Sequence, residues 1–274
     1  MASQVPLRSA WLSQDGNRAP RTGLCSGKPS QHAHGGVQRG SNPLWHKAWG
    51  GRLIFKAALF DFDDTLVDSF SARARAAQKA ADGILDSGLD LEKIMRESAG
   101  RPQRDIWFDL SGDEQETECL MEGYRTWYWG EFTDDVVLFP GIRDLLDELK
   151  GKGVALAVVT SKIRLRTHDG EPYGAEVEMS RLGLDGVFEL VVGWGDVEES
   201  KPDPGPILFA LDTLAVDRRD ALMIGDSHVD IVAAKRAGVS SAGADWGTLA
   251  RDLLIEAGPD YVVTAPSELR ALFP

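Results

Sequence analysis

A chain of 274 residues with 43% hydrophobic and 27% charged positions is long enough to bury a sizeable core and ordinary in its polarity. Its net charge of −13 is uneven, with +7 over residues 1–56 and −20 over residues 57–274, so the body of the protein is repelled by nucleic-acid phosphates and by anionic membranes. Two cysteines, Cys25 and Cys119, are too few for a disulfide framework, and no apolar run reaches the length of a membrane span, so a soluble protein of a reducing, cytoplasmic setting is expected.

Residues 1–52 are rich in Gly, Ser, Pro, Arg and Gln and lack apolar periodicity, which predicts a disordered extension. It reads as an extension upstream of the folded part or a tail, with an Arg- and Ser-rich targeting segment as the alternative. His32 and His34 form a pair without further ligands nearby.

From residue 53 the pattern is regular. Apolar runs that suit strands occur at 56–62 (KAALFDF), 154–160 (VALAVVT), 187–192 (VFELVV), 221–225 (ALMIG) and 260–263 (DYVV). Helical spacing occupies the gaps, as in 141–153, where Ile142, Leu145, Leu146 and Leu149 recur on one face, and in 204–216, with Ile207, Leu208, Leu211 and Leu214. Alternating strands and helices predict an α/β fold with a doubly wound parallel sheet, whose ligands sit beyond the carboxyl ends of the strands. Residues 68–139 contain no convincing strand and read as an inserted, small, all-helical domain over the mouth of the sheet; 53–67 and 140–274 then form the core domain.

The first strand runs into LFDFDDTLVDS, which places Asp61, Asp63 and Asp64 almost side by side. Asp61 and Asp63 are two apart at a strand end, so their side chains tend to one side, and Thr65 continues that spacing. Two carboxylates held together force one to stay protonated unless a cation intervenes, and hard oxygen ligands suit Mg²⁺. Three further groups follow at later strand ends. Thr160 and Ser161 offer hydroxyls and backbone N–H groups suited to a phosphoryl oxygen; Lys201, between a loop and Pro202, offers a cation; Asp226 and Asp230, four apart, face one cation if a helix begins there. Each also has a plainer reading, as a helix N-cap or a surface cation.

In this order, the motifs FDFDDTLVDS, VVTSK, KPDP and GDSHVD resemble the four motifs of haloacid-dehalogenase-like (HAD) phosphatases that carry a helical cap, in particular the phosphoglycolate-phosphatase-like branch. The resemblance covers residues 53–274. It departs at Asp64, where many relatives have glycine, and at 163–177, where relatives carry a plainer helix. The resemblance implies a Mg²⁺-dependent phosphate monoesterase acting on a small phosphorylated metabolite such as a phosphoglycolate-like compound or a sugar phosphate. Asp61 would be the nucleophile and Asp63 the proton donor and acceptor. Thr65, Thr160, Ser161 and Lys201 would bind the phosphoryl group. Asp61, Asp63 through its carbonyl, Asp226 and Asp230 would hold the metal.

Relatives of other activity are weighed on the same basis. A dehalogenase would lack Asp63, residues 68–139 hold no histidine of the kind sugar-phosphate mutases carry, and the cap lysines Lys79 and Lys93 lie outside the loop that a phosphonate-cleaving relative uses. A pyrophosphatase of the same fold remains open, and a catalytically inactive binding module is disfavoured by the complete motif set. Within the cap, SAGRPQRDIW (98–107) falls at the position of a specificity loop, where Arg101 and Arg104 would either read an anion on the leaving group or answer Glu97 and Asp105 at the surface. The aromatics Trp107, Phe108, Tyr124, Trp127, Tyr128 and Trp129 read as cap core, Asp64 and Asp68 as structural, and His228 as an exposed loop residue. The oligomeric state is left open between monomer and homodimer.

Overall fold

The protein is described here from a computed structural model covering residues 55–98, 101–168, 170–247 and 251–273; the predicted extension at 1–52 lies outside the described residues. The strands are β1 (Ala57–Phe60), β2 (Val67–Asp68), β3 (Val137–Leu138), β4 (Ala155–Val159), β5 (Arg166–His168), β6 (Glu171–Tyr173), β7 (Leu190–Val192), β8 (Ala221–Gly225), β9 (Ser240–Ala244) and β10 (Tyr261–Val263). The helices are α1 (Phe70–Ala81), α2 (Leu91–Glu97), α3 (Gln103–Ser111), α4 (Glu114–Trp127), α5 (Ile142–Gly151), α6 (Ala175–Arg181), α7 (Gly205–Leu214), α8 (His228–Ala237) and α9 (Arg251–Glu256).

Six strands form one parallel sheet in the order β10-β9-β8-β1-β4-β7. Its two faces follow from alternation along each strand. Ala57 and Leu59 of β1 pack with Val159, Met223 and the α7 and α8 residues Ile207, Leu211 and Ala234. Ala58 and Phe60 join the opposite core with Leu156, Ile224 and the α5 residues Ile142, Leu145, Leu146 and Leu149. Both faces of the sheet are covered, which explains why its strands read as continuous apolar runs.

The chain moves from β1 outward through β4 to β7, then returns to the other side of β1 at β8. This reversal opens a crevice at the carboxyl ends of β1 and β8, the usual ligand site in open α/β sheets. Registers Phe60↔Val158 and Phe60↔Ile224 bring Asp61, Thr160 and Asp226 to the same edge.

Helices α1 to α4 are inserted after β1. The chain enters and leaves the insertion through an antiparallel pair, Val67↔Leu138 and Asp68↔Val137, so both crossings lie side by side and Asp68 is a residue of this short ladder. Helix α1 presents Ala72, Ala76, Ala77 and Ala80 inward, and Gly123 of α4 meets Ala80 so closely that a Cβ there would lie 3.4 Å from it. Small residues on both sides allow this approach. Helix α4 continues through a π-helical turn, Tyr128–Phe132, which turns Tyr128 and Phe132 inward.

Four elements depart from the sequence expectations. Strand β9 consists of small residues without β-branched signal; Gly243 explains why, since a Cβ there would lie 3.1 Å from Leu254 of α9. The expected loop 98–107 becomes helical at Gln103, because Trp107, 1% exposed, anchors α3 in the core. Within 163–177 the chain forms the antiparallel hairpin β5–β6 before α6. His228 is the first residue of α8 and half-buried, not an exposed loop residue. Among the described residues no helix is long and apolar enough to cross a membrane.

Leu146 is fully buried between α5 and the sheet. Leu146→Ala is expected to lower stability by about 2–5 kcal/mol, read from urea unfolding, through lost transfer energy and the cavity left behind.

Candidate active site

The turn after β1 sets the site. Asp61 N–H donates to Ile224 O at 2.8 Å, tying the turn to β8. Leu66 N–H and Val67 N–H both donate to Phe62 O, at 2.9 and 3.2 Å, closing a tight loop over residues 62–67. Asp64 occupies the left-handed region at φ 60°. Glycine adopts this conformation most readily and aspartate is among the side chains that tolerate it, which accounts for Asp at this turn. The Asp64 carboxylate is buried and paired with Arg73 of α1, and it accepts from Ser69 N–H at 3.3 Å.

Asp61, Asp226 and Asp230 converge. One carboxylate oxygen from each lies within 4.8 Å of the others. Lys201, 5% exposed, donates to Asp61 Oδ1 at 2.8 Å, to Asp230 Oδ1 at 2.6 Å and to Val159 O at 2.8 Å. Asp230 is fully buried; its Oδ2 accepts from Ser227 N–H at 3.1 Å and Ser227 Oγ at 2.5 Å, the capping box that starts α8. Gly225 makes room for it: a Cβ there would sit 2.4 Å from the Asp230 carboxyl.

The electrostatics follow from that count of charges. Three carboxylates gather here against one ammonium, which pairs with Asp61 and Asp230. Burial, with the charge of Asp230 and against that of Lys201, pushes the Asp61 carboxyl up to about 7. Burial and the charges of Asp64, Asp61 and Asp230 push Asp226 well above the carboxylate range. Burial works against the Lys201 ammonium, but the carboxylates Asp230 and Asp61 outweigh it and hold it charged. An all-oxygen donor set with excess negative charge fits a hard divalent cation such as Mg²⁺.

Asp63 stands apart from this cluster. Its Oδ1 accepts from Lys162 Nζ at 2.9 Å and from Ser69 Oγ at 2.7 Å. Burial alone would raise its pKa, yet Lys162 and Arg73 together hold it below the ordinary carboxylate value. Lys162 also donates to Glu178 Oε2 at 2.6 Å and to Tyr128 Oη at 3.0 Å. Glu178, fully buried in α6, accepts from Tyr128 Oη at 2.6 Å and Thr133 Oγ1 at 3.0 Å. One buried chain of bonds therefore runs from Asp63 through Lys162 and Glu178 to the inserted helices. Sequence reasoning missed Lys162 and Glu178. Lys162 directly follows Thr160 and Ser161 at a strand end and was legible there; Glu178 gives no signal in an otherwise ordinary helix.

The remaining sequence candidates divide. Thr160, 6% exposed, and Ser161 line the mouth beside Asp61, with Lys162 N–H donating to Thr160 Oγ1 at 3.1 Å. Thr65 lies elsewhere. It is fully buried, its hydroxyl donates to Asp226 Oδ1 and accepts from Asp226 N–H, both at 3.0 Å, and it braces that carboxylate instead of facing the cavity. Arg101 and Arg104 line the cavity, but their guanidiniums are engaged by Asp109 at 2.6 Å and by Glu114 and Glu118, not by Glu97 and Asp105. Of the aromatics read as core, Trp107 and Tyr128 are 1% exposed and Tyr124 is 8% exposed, whereas Phe108 is exposed. Tyr124, Tyr128 and Trp129 also line the cavity. That cavity, about 370 Å³, opens between the strand ends and the inserted helices, and reaches from Asp61, Asp63, Lys201 and Asp226 to Met95, Ile106 and Met121.

Residues 58–244 match the family model described as haloacid dehalogenase-like hydrolase. The chain is 32% identical over 218 residues to the phosphoglycolate phosphatase of Aquifex aeolicus, covering 78% of this chain and 94% of that one. It is 27% identical over 211 residues to the pyrophosphatase PpaX of Oceanobacillus iheyensis, covering 77% and 93%. Among solved structures, a predicted phosphoglycolate phosphatase from Haemophilus somnus aligns with a TM-score of 0.71 at 22% identity over 81% of this chain and 99% of that one.

Removing one member of a buried ion pair strands the other. Glu178→Ala is expected to lower stability by about 3–5 kcal/mol. The double replacement Lys162→Met with Glu178→Leu should cost clearly less than the two single changes added together, as a double-mutant cycle in urea would measure.

Proposed function

Because this chain belongs to the haloacid dehalogenase-like hydrolase family, we propose that it is a Mg²⁺-dependent phosphatase of small phosphate esters that works through an aspartyl-phosphate. The observation that carries the reading is the buried meeting of Asp61, Asp226 and Asp230, two of which, Asp61 and Asp230, pair with Lys201. In the proposed division of the chain, residues 53–67 and 140–274 form the core and 68–139 the cap.

The phosphoryl group of the ester enters between Thr160, Ser161 and Lys201. Asp61 Oδ attacks phosphorus in line; a P–O bond forms to the carboxylate and the bond to the leaving oxygen breaks. Asp63 delivers a proton to that oxygen. Water then attacks the acyl phosphate, Asp63 takes its proton, and inorganic phosphate leaves with Asp61 restored. Lys201 answers negative charge on the phosphoryl oxygens. Asp61, Asp226, Asp230 and the carbonyl of Asp63 would hold Mg²⁺, which when bound supplies the positive charge that three carboxylates and a phosphoryl group need.

Lys162 keeps Asp63 ionised in the absence of substrate, the state that suits the water-activating step. A dianionic ester arriving beside Lys162 and Lys201 adds negative charge near Asp63 and raises its affinity for a proton. The substrate thereby favours the acid form that the first step requires.

p-Nitrophenyl phosphate should be hydrolysed with Mg²⁺ and not after chelation with EDTA, with activity returning on adding Mg²⁺. Asp61→Asn should lose at least about a thousandfold in kcat, since it removes the nucleophile. An inactive native protein, or undiminished turnover in Asp61→Asn, overturns the reading.

A further inference from the structure

We propose that the natural ester has a neutral alcohol with an apolar body, seated against an aromatic wall formed by Tyr173 of β6, Trp194 after β7 and Trp129. The proposal rests on the phosphatase reading above and extends it to the class of leaving group.

The first observation is space. The cavity of about 370 Å³ lies within the size range of small-molecule pockets. A phosphoryl group with a second phosphoryl or a glycolate fills only the part nearest Asp61. The far part meets Met95, Ile106, Met121 and Ile163, together with the aromatic wall. Water held against such a surface is displaced favourably by an apolar group.

The second observation is charge. Every lysine and arginine among the described residues lining this cavity already meets a carboxylate. Arg101 pairs with Asp109, Arg104 with Glu114 and Glu118, Arg125 with Glu122, and Arg73 with Asp64. Lys162 and Lys201 are engaged by Asp63, Glu178, Asp61 and Asp230. A second anion on the leaving group would compete with these carboxylates for the same cations. A neutral one competes with none.

The third observation is how the wall is built. Trp194 is 47% exposed, although it lines the cavity. The Arg166 guanidinium of β5 lies 5.1 Å from the centroid of its ring, on the hairpin that follows the Thr160-Ser161-Lys162 turn. Tyr173 of β6 is 8% exposed and sits 5.7 Å from Trp129, ring centre to ring centre. The base of the hairpin is clamped. Arg164 runs between Gly174 and Gly193 so closely that a Cβ on either would lie 2.5 Å from its backbone. Trp194 N–H donates to Lys162 O at 2.8 Å, Ala175 N–H to Ile163 O at 2.9 Å, and Arg164 pairs with Asp196 at 2.9 Å. Both rings are thus held at a fixed distance from the residues that face the phosphoryl group.

Two esters of similar leaving-group chemistry test this, 2-phenylethyl phosphate and ethyl phosphate, assayed with Mg²⁺ by release of inorganic phosphate beside pyrophosphate and phosphoglycolate. The kcat/KM ratio of 2-phenylethyl to ethyl phosphate should be roughly ten to a hundred, the range that burying one phenyl ring supplies. It should fall several-fold in Trp194→Ala and recover in Trp194→Phe; because Trp194 is half-exposed, neither change threatens the fold. A ratio near one, a ratio that Trp194→Ala leaves as it was, or a higher kcat/KM for pyrophosphate or phosphoglycolate than for 2-phenylethyl phosphate overturns the proposal while the phosphatase reading stands. Failure to release phosphate from any of the four substrates overturns both.

Discussion

The site depends on one imbalance of charge, three clustered carboxylates against a single ammonium. Lys201 pairs with Asp61 and Asp230, and burial, together with the neighbouring carboxylates, raises the proton affinities of Asp61 and Asp226. Such a cluster destabilises an isolated fold, since a buried ionised carboxylate without compensation costs several kcal/mol. It persists because each group is fixed from outside. Ser227 holds Asp230, Thr65 holds Asp226, and β8 holds the turn that carries Asp61. The sheet topology does the gathering, because the chain reverses direction between β1 and β8 and leaves the ends of both strands facing one crevice.

A second layer of control lies in the bonds from Asp63 to the inserted helices. Lys162 is the branching point, bonded at once to Asp63, Glu178 and Tyr128. Tyr128 belongs to the π-helical turn after α4 and Glu178 to α6, so the surroundings of Asp63 depend on both parts of the protein lying against each other. Any separation that withdraws the Tyr128 hydroxyl leaves Glu178 and Lys162 to each other and alters the field at Asp63. Proton affinity at that carboxylate is then a property of the closed arrangement and not of the loop alone.

The parts legible in the sequence are those written in short-range signals. Continuous apolar runs mark β1, β4 and β8, because a strand covered on both faces has no polar side to show. Asp61, Thr160 and Asp226 are legible as polar residues that follow such runs directly, and Lys201 as a cation fixed before Pro202. Strand β9 escapes detection because its packing against α9 requires small residues, and small residues carry no strand signature. Helix α3 is hidden by the Pro and Arg residues at its start and revealed by the burial of Trp107. Thr65 shares the spacing of Asp61 and Asp63, yet the left-handed backbone at Asp64 breaks the alternation on which that spacing rests and turns Thr65 toward Asp226. Glu178 is illegible for a further reason: its partners Lys162, Tyr128 and Thr133 are close only in the folded chain.

Relatives with similar strand-end chemistry carry the names pyrophosphatase and phosphoglycolate phosphatase, and both substrates join the reacting phosphoryl group to a second anion. Under the reading proposed above, the surroundings in this chain favour neither. The body is strongly acidic, so a doubly anionic ligand is opposed at long range and must be compensated near the site. The arginines and lysines lining the cavity each pair with a carboxylate, exposed ones in the case of Arg101 and Arg104, so a second anion would compete with those carboxylates. An apolar leaving group avoids that competition altogether and draws on a different source of affinity, the release of water from aromatic and methionine side chains. Discrimination would then arise in the hairpin and the inserted helices, while the carboxylates and Lys201, which meet only the phosphoryl group, remain indifferent to the rest of the ester.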